Sequence, residues 1–283
     1  MKIASGDWMM TAAPDRGGAI LSLTHGDRDI LRPTAPDAVD PLAMACFPLV
    51  PYANRIGFGR FDWGGTSYRL ACNYPGQQHP LHGTGWLARW DVVAHTDTAI
   101  TMNLSHVGNN DWPWDFTAEQ QLALSPAGLT ITLSVRNSGD RTMPVSLGLH
   151  PYFARADSLR FSATGVWMVD DTLLPVTHAA ADTLGDWMTD GTLRRRDLVD
   201  HCFTGWEGCA TIARADGDIA ITAQDASSLH VYIPPGEDFF CAEPVTAMPD
   251  AVNHDAAREL SPGEEARITL TIGHADQHHH MDA

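Results

Sequence analysis

The sequence has few cysteines, few basic residues and no long apolar run. Its five cysteines are odd in number, widely spaced and without a Cys-x-x-Cys pair, which argues against a disulfide framework or a structural zinc site. With 18 Lys+Arg against 35 Asp+Glu, the formal net charge is −17. Nucleic acids and anionic membranes bind basic surfaces, so neither is expected as a partner.

From the N-terminal residues and the hydropathy pattern, we expect neither a secretory signal nor a membrane-spanning helix. Residues 1–10 contain Asp7 and lack the apolar centre of a secretory signal. No apolar run approaches the ~20 residues that a membrane-spanning helix needs. We therefore expect a cytoplasmic protein with reduced thiols.

Short runs of alternating apolar and polar residues recur along the chain. The clearest are 100–104, 129–135 and 267–272, and 229–233 is a further strand candidate. A period of two places successive side chains on opposite faces of a strand. No helical period, internal repeat or linker interrupts this pattern, and 44% hydrophobic residues are enough for a buried core. We expect an all-β protein, a large antiparallel β-sandwich, with a single domain over residues 1–273.

The C-terminal segment 274–283 includes His278, His279 and His280. Adjacent histidines can chelate metal ions, but a polar chain end is typically disordered, with only incidental metal affinity. We expect a disordered tail there.

The stretch 143–153 reads Met-Pro-Val-Ser-Leu-Gly-Leu-His-Pro-Tyr-Phe. Aliphatic residues alternate in it with small or polar ones, and prolines bracket the run, as suits the ends of a strand. The pattern predicts one strand that ends at His150 and has a nearly bare second face. This is a suitable setting for a proton-transfer group in a groove; the alternative is a histidine that only hydrogen-bonds a neighbouring loop.

Four further polar residues stand in loop-like or strand-end settings. Each also has a structural explanation when taken alone: a salt bridge for Arg55, a loop contact for His82, a turn cap for Asp200 and a surface turn for Glu243.

In order and local setting, these stretches resemble the aldose 1-epimerase (galactose mutarotase) family. Each motif alone is weak, but five in the family's order are specific, and the resemblance runs from about residue 15 to 273. The matching stretches are Pro51-Tyr52-Ala53-Asn54-Arg55-Ile56, Leu81-His82-Gly83 with Trp90, His150-Pro151-Tyr152-Phe153, Asp200-His201-Cys202-Phe203, and Glu243-Pro244 with Pro249-Asp250-Ala251-Val252-Asn253.

The resemblance implies a galactose mutarotase-like supersandwich that binds a small sugar in a cleft on its concave side. It also implies interconversion of the α and β anomers of a free aldose, without a cofactor or metal. Carried over by position, Glu243 is the general base and His150 the general acid, while Arg55, His82 and Asp200 bind the sugar.

The proposed roles agree with unperturbed acidities. Glutamate, with a pKa near ~4.3, enters as the base, and histidine, near ~6.5, carries the proton to be donated. Each positioned proton-transfer group contributes roughly 10²–10⁴ in rate. We expect Asp200 to support the charge of His150, and Trp86 or Trp167 to offer a stacking surface for the sugar.

Three alternatives stay open, as does the oligomeric state. The first is a carbohydrate-binding β-sandwich without catalysis. The second is the same reaction on an anionic sugar, such as a hexose 6-phosphate or a sulfonated hexose, which would need an additional basic residue. The third, a glycosidase, needs two facing carboxylates, and Glu243 alone stands in a recognisable setting. The arginines available for an anionic sugar are Arg16, Arg60, Arg69, Arg89, Arg155 and Arg194–Arg196.

Overall fold

Strands make up most of the regular structure in residues 1–275, the part of the chain that the computed structural model describes. The strands of the first half are β1 (Lys2–Ser5), β2 (Trp8–Ala13), β3 (Ala19–His25), β4 (Arg28–Asp29), β5 (Pro48–Leu49), β6 (Arg60–Trp63), β7 (Thr66–Arg69), β8 (Asp91–His95), β9 (Ala99–His106), β10 (Phe116–Ser125) and β11 (Gly128–Asn137). Those of the second half are β12 (Met143–Val145), β13 (Gly148–Leu149), β14 (Tyr152–Ala154), β15 (Ser158–Phe161), β16 (Gly165–Val169), β17 (Pro175–Ala180), β18 (Val199–Thr204), β19 (Cys209–Ala213), β20 (Ile219–Gln224), β21 (Ser228–Ile233), β22 (Phe239–Val245), β23 (Arg258–Leu260) and β24 (Glu265–His274). Short 3-10 helices lie at Pro41–Ala43, Gly57–Gly59, Gly85–Leu87, Ala181–Leu184 and Ala251–Asn253.

Two large antiparallel sheets form the body of the molecule. Sheet I has the strand order β15-β19-β20-β24-β11-β10-β9-β8. Sheet II has the order β17-β16-β18-β21-β22-β13-β5, and β14 also pairs with β22. A four-stranded sheet β1-β2-β3-β4 and the pairs β6-β7 and β12-β23 complete the fold. The predicted antiparallel β-sandwich is confirmed.

The core forms from the inward faces of the two large sheets. On β11 of sheet I, alternate residues from Leu129 to Val135 are fully buried, and on β21 of sheet II, Leu229, Val231 and Ile233 are buried in the same apolar cluster. Burying one such side chain contributes roughly 1.5–3 kcal/mol. Because successive side chains of a strand point to opposite faces, the intervening residues of β21 lie on the other face of sheet II.

The stretch 143–153 is not the single strand that its alternation predicts. It is divided into β12, β13 and β14, which pair with β23, with β22 and β5, and with β22, respectively. Pro144 and Pro151 cannot donate backbone hydrogen bonds, and the intervening backbone turns to other partners: Leu147 N–H donates to the Thr246 hydroxyl at 2.8 Å.

The second face of this stretch is also not bare. A Cβ atom on Gly148 would lie 2.9 Å from side-chain carbons of both Leu49 and Val245. Glycine at this position lets neighbouring strands approach closely, so His150 emerges from a packed layer.

The remaining features of the fold concern residues 170–204, the C-terminal segment and membrane-spanning helices. Residues 170–204 contain the strands β17 and β18. β24 continues through His274, whereas His278–His280 lie outside the described residues. Among residues 1–275, no helix is long and apolar enough to cross a membrane.

Candidate active site

The outward face of sheet II carries two rows of polar side chains across β18, β21 and β22. In each row, backbone register places one residue of each strand beside the next. Side chains two positions apart share a face of the sheet, so both rows face away from Leu229 and Val231 of the core. The first row is Cys202, His230 and Glu243, and the second is Asp200, Tyr232 and Cys241.

Loops that lie over this face contribute the remaining predicted residues. His82 donates its backbone N–H to Asn54 O at 2.8 Å, and its ring Nδ1 accepts from Asn54 N–H at 3.2 Å. Both residues have positive φ, which Asn and His tolerate better than most residues. Because Arg55 follows Asn54 directly, these two bonds fix Arg55 and His82 side by side.

Trp86 supports this loop and does not offer a stacking surface. Its side chain is 1% exposed, and its indole N–H lies 3.1 Å from Leu81 O and 3.2 Å from Gly83 O. Trp167, on β16, is partly exposed and pairs with Cys202 of β18, so it extends the first row by one strand. Of the two predicted stacking residues, the structure leaves Trp167 in a suitable position.

Glu243 and His150 face each other in the middle of the site. Glu243 Oε1 lies 3.3 Å from His150 Nε2, and the two residues are 2% and 6% exposed. The His150 ring packs against both Phe47 and Tyr152, with ring centroids 4.6 and 4.7 Å away. His82 approaches edge-on at 5.2 Å.

Burial changes the acidity of both groups. It raises the pKa of Glu243 to about 8 and lowers the pKa of His150 to about 3, because the charged form of each loses its hydration. The unperturbed pKa values therefore do not describe these two groups in this environment, and the roles of Glu243 as base and His150 as acid stay predictions. Groups this close titrate as a pair, and the two shifts keep one proton on the pair at neutral pH.

Asp200 is held by two cationic or proton-donating partners. Its Oδ1 accepts from His230 Nε2 at 2.6 Å, and its Oδ2 from the guanidinium of Arg55 at 3.3 Å. Burial raises the pKa of Asp200, but His230 and Arg55 outweigh it and hold that pKa well below its usual range. Asp200 does not pair directly with His150, which faces Glu243, but its charge still raises the pKa of His150 against the larger effect of burial.

His230 is a site residue that the sequence reasoning missed. It is 3% exposed and lies between Asp200 and Glu243. The available signal was its place in a strand where Leu229, Val231 and Ile233 alternate with His230 and Tyr232. A polar residue on the non-core face of a buried strand is a candidate for function.

Several buried polar atoms of the site have no hydrogen-bond partner within residues 1–275. They are Glu243 Oε2, His150 Nδ1, His230 Nδ1 and Arg55 Nε. Buried polar groups normally find partners, and a ligand rich in hydroxyl groups could supply both donors and acceptors to them.

His150, Cys241 and Glu243 could each direct one ligand atom at a metal ion, since these atoms lie within 4.8 Å of one another. However, His150 and Glu243 already direct these atoms at each other. Burial also raises the pKa of the Cys241 thiol well above its usual range, whereas a metal-binding cysteine is a thiolate. The trio is better described as an acid–base pair beside a neutral thiol.

Comparison with known proteins agrees with this geometry. The family profile described as aldose 1-epimerase matches residues 1–273. Two uncharacterised Escherichia coli (strain K12) proteins are similar: YphB is 30% identical over 91% of this chain and 93% of its own, and YihR is 24% identical over 89% and 85%.

Solved structures show the same fold. A candidate aldose 1-epimerase from Escherichia coli K12 superposes with a TM-score of 0.89 at 28% identity, covering 97% of this chain and 98% of that one. A galactose mutarotase-like protein from Clostridium acetobutylicum gives 0.86 at 20% identity, covering 98% and 95%.

Proposed function

This chain belongs to the aldose 1-epimerase family, and we propose that it is a mutarotase, which interconverts the α and β anomers of a free aldose. The observation that carries the proposal is the buried pair Glu243–His150, with 3.3 Å between Oε1 and Nε2. The anomeric hydroxyl oxygen O1 and the ring oxygen O5 are bonded to the same carbon, so two adjacent proton-transfer groups can reach both at once.

Ring opening moves two protons and breaks one bond. Glu243 takes the proton from O1 as the C1–O1 double bond forms and the C1–O5 bond breaks. His150 gives its proton to O5, which becomes a hydroxyl group. Rotation about C1–C2 and the reverse transfers then close the ring with O1 on the other face.

Burial favours the state of the pair that accompanies the open chain. Ring opening starts from the state in which the shared proton is on His150 and Glu243 is a carboxylate; afterwards the proton taken from O1 is on Glu243, both groups are neutral, and the pair still holds one proton. Raising the pKa of Glu243 and lowering that of His150 both favour the neutral form. At rest the shared proton is therefore on Glu243 and first has to move to His150; from that state, the return to the neutral pair favours ring opening.

Arg55, His82 and Asp200 are proposed to bind sugar hydroxyls. The Asp200 carboxylate is fixed at both oxygens by His230 and Arg55, so its remaining lone pairs have defined directions. Burial lowers the pKa of His82 well below its usual value, which leaves a neutral ring; because its Nδ1 accepts from Asn54 N–H, its Nε2 is free to donate to a sugar hydroxyl. A fixed ligand frame also limits rotation of the open chain.

The reaction is a redox-neutral isomerisation, and two proton-transfer groups are enough for it, so we propose that no cofactor takes part. We further propose a cytoplasmic location, consistent with five free cysteines.

The test is an NMR exchange measurement on a panel of neutral aldoses, which follows anomer interconversion with and without the protein. We expect acceleration over buffer for at least one sugar. Binding of the sugar without acceleration would contradict the proposal and indicate a carbohydrate-binding module.

A second candidate substrate class, an anionic aldose, is favoured by one observation. Arg60 and Arg69 are directly opposite each other in the β6-β7 hairpin, and neither makes an ion pair within residues 1–275. Like charges at such positions repel. Together with the exposed Phe58, both arginines line a cavity of about 700 Å³. Phe58 follows Arg55 by three residues, so the two lie within about 10 Å of each other along the chain. The cavity is therefore close to the proposed sugar-binding site.

The same exchange measurement, extended to anionic 6-substituted aldoses, separates the two substrate classes. An anionic aldose is the substrate if a hexose 6-phosphate or a sulfonated hexose exchanges faster than its neutral parent and Arg60→Gln with Arg69→Gln removes that preference. A rate that is equal for both, or higher for the neutral sugar, excludes it.

A further inference from the structure

His230 contacts the residues of the proposed reaction without a role of its own in it. Its Nε2 lies 2.6 Å from Asp200 Oδ1, and the amide nitrogen of Asn54 lies 3.5 Å from the same ring atom. On its other side, backbone register places Glu243 directly beside it. The ring therefore connects a sugar-binding carboxylate with the catalytic one.

The hydrogen bond defines the direction of donation. Asp200 accepts from Arg55 on its second oxygen, and an ionised carboxylate can only accept. His230 Nε2 must therefore carry a proton. A second proton on Nδ1 makes the ring a cation, and the buried carboxylate of Asp200, whose desolvation needs compensation, favours that form.

We propose that His230 is a positively charged positioning residue, whose imidazolium orients the Asp200 carboxylate and whose charge keeps the carboxylate form of Glu243 accessible in a buried site. The effect of His230 on catalysis by Glu243 rests on the proposed function. The charge of His230 itself is independent of that function.

Electrostatics supports this assignment. Burial lowers the pKa of His230, but its hydrogen bond to Asp200 and the nearby carboxylates outweigh this and raise it to about 10. In return, the cation lowers the pKa of Glu243, opposing the dominant effect of burial, and adds to the effect of burial in lowering that of His150.

The charged and titratable groups around His230 come from every neighbouring element. They are Asp200, His201 and Cys202 of β18, Tyr232 of its own strand, Cys241 and Glu243 of β22, His150 after β13, and Arg55 and His82 of the overlying loops.

The first arm of the test needs no activity. Ring ¹⁵N NMR of the wild-type protein, with the His230 signals identified by their loss in His230→Gln, reports whether both ring nitrogens carry protons. We expect imidazolium shifts from neutral pH up to about pH 9, and a lower titration midpoint in Asp200→Asn. A neutral His230 ring at pH 7 would overturn the proposal.

The second arm is the pH dependence of anomer exchange in His230→Gln. Glutamine can still donate to Asp200 but carries no charge, so both limbs of the profile should move to higher pH, by roughly one unit, because the pKa values of Glu243 and His150 both rise. We expect kcat to fall about tenfold and KM to change less. His178→Gln, a substitution of an exposed histidine on β17 of the same sheet, should leave both limbs in place.

A purely structural role predicts a different result. It would lower the rate of His230→Gln at every pH and leave the limbs unmoved, which contradicts the proposal. If the wild-type protein accelerates no anomer exchange, the mutarotase assignment fails while the ring ¹⁵N shifts still decide the charge of His230.

Discussion

At the scale of single residues, the environment of one carboxylate governs how the site can work. Glu243 is enclosed by sheet II and by His150, and burial raises its pKa to about 8. The same enclosure lowers the pKa of His150 to about 3. The two groups therefore share one proton over a wide range of pH, and this proton is what anomer exchange requires.

The pH profile of the wild-type reaction tests this sharing. Above about pH 8 the pair loses its proton and no acid remains; below about pH 3 it gains a second and no base remains. We expect kcat/KM, measured by NMR exchange and corrected for buffer, to stay level through neutrality and to fall about tenfold per unit above the alkaline limit. A decline that begins near ~6.5, the ordinary histidine value, would contradict the shared-proton account.

The residue scale also shows what the sequence could predict. The order of family motifs in the sequence identified five site residues, and the structure brings all five together at the outward face of sheet II. They are Glu243, His150, Arg55, His82 and Asp200. Their catalytic and binding roles stay predictions. Acidity could not be predicted, because desolvation depends on neighbours that are distant in sequence, such as Phe47 beside His150.

At the scale of elements, alternation predicted strands well where a strand has one pair of neighbours along its length. β11 pairs continuously with β10 and β24, and its period of two is regular. The stretch 143–153 alternates as clearly but pairs with different strands in turn. Local periodicity does not contain that information, so the single predicted strand was wrong. His230 was missed because one polar residue in a strand has many structural explanations.

The loop that carries His82 depends on Gly83. This glycine has φ +71°, and a Cβ atom there would lie 2.3 Å from Val50 O. Gly83→Ala would combine backbone strain with a collision that the backbone cannot avoid, so we expect a loss of more than about 2 kcal/mol in the free energy of unfolding and a large loss of exchange activity as His82 is displaced.

Gly64→Ala is the matched control for this substitution. Gly64 also has positive φ, +56°, but nothing lies within 4 Å of its Cβ position. Urea denaturation should show a smaller loss for Gly64→Ala, with activity retained. Equal losses in the two variants would show that backbone strain alone, and not close packing of the His82 loop, limits position 83.

At the scale of the whole molecule, two sheets share one apolar cluster whose members run from Ile3 to Ile272. The family profile covers residues 1–273. We propose that these residues form a single domain. One face of sheet II packs against the core and stabilises the sheet, and the opposite face carries the polar side chains of the site. Placing titratable groups there links global stability to pH.

This linkage gives a stability prediction. The pKa of Glu243 is about 8 in the folded protein against 4.5 for an ordinary glutamate, so the folded state binds more protons than the unfolded state between these values. Glu243 therefore favours folding at low pH, and its contribution is lost as pH rises from about 4.5 through about 8.

Glu243→Gln removes this titration. Relative to the wild type, the variant should gain stability between about pH 5 and pH 8, by on the order of a few kcal/mol. Urea denaturation of both proteins at the two pH values measures the difference. No change in the difference, or a change of opposite sign, would contradict the raised pKa.

The central claim is that one carboxylate and one imidazole together move protons between the two oxygens of an anomeric carbon. NMR exchange spectroscopy of Glu243→Gln and His150→Asn, with the wild type's best sugar, tests it most directly. The account predicts that each variant stays folded, as judged by circular dichroism, and loses roughly 10²–10⁴ of the exchange rate. Folded variants that exchange the anomers at the wild-type rate would contradict it.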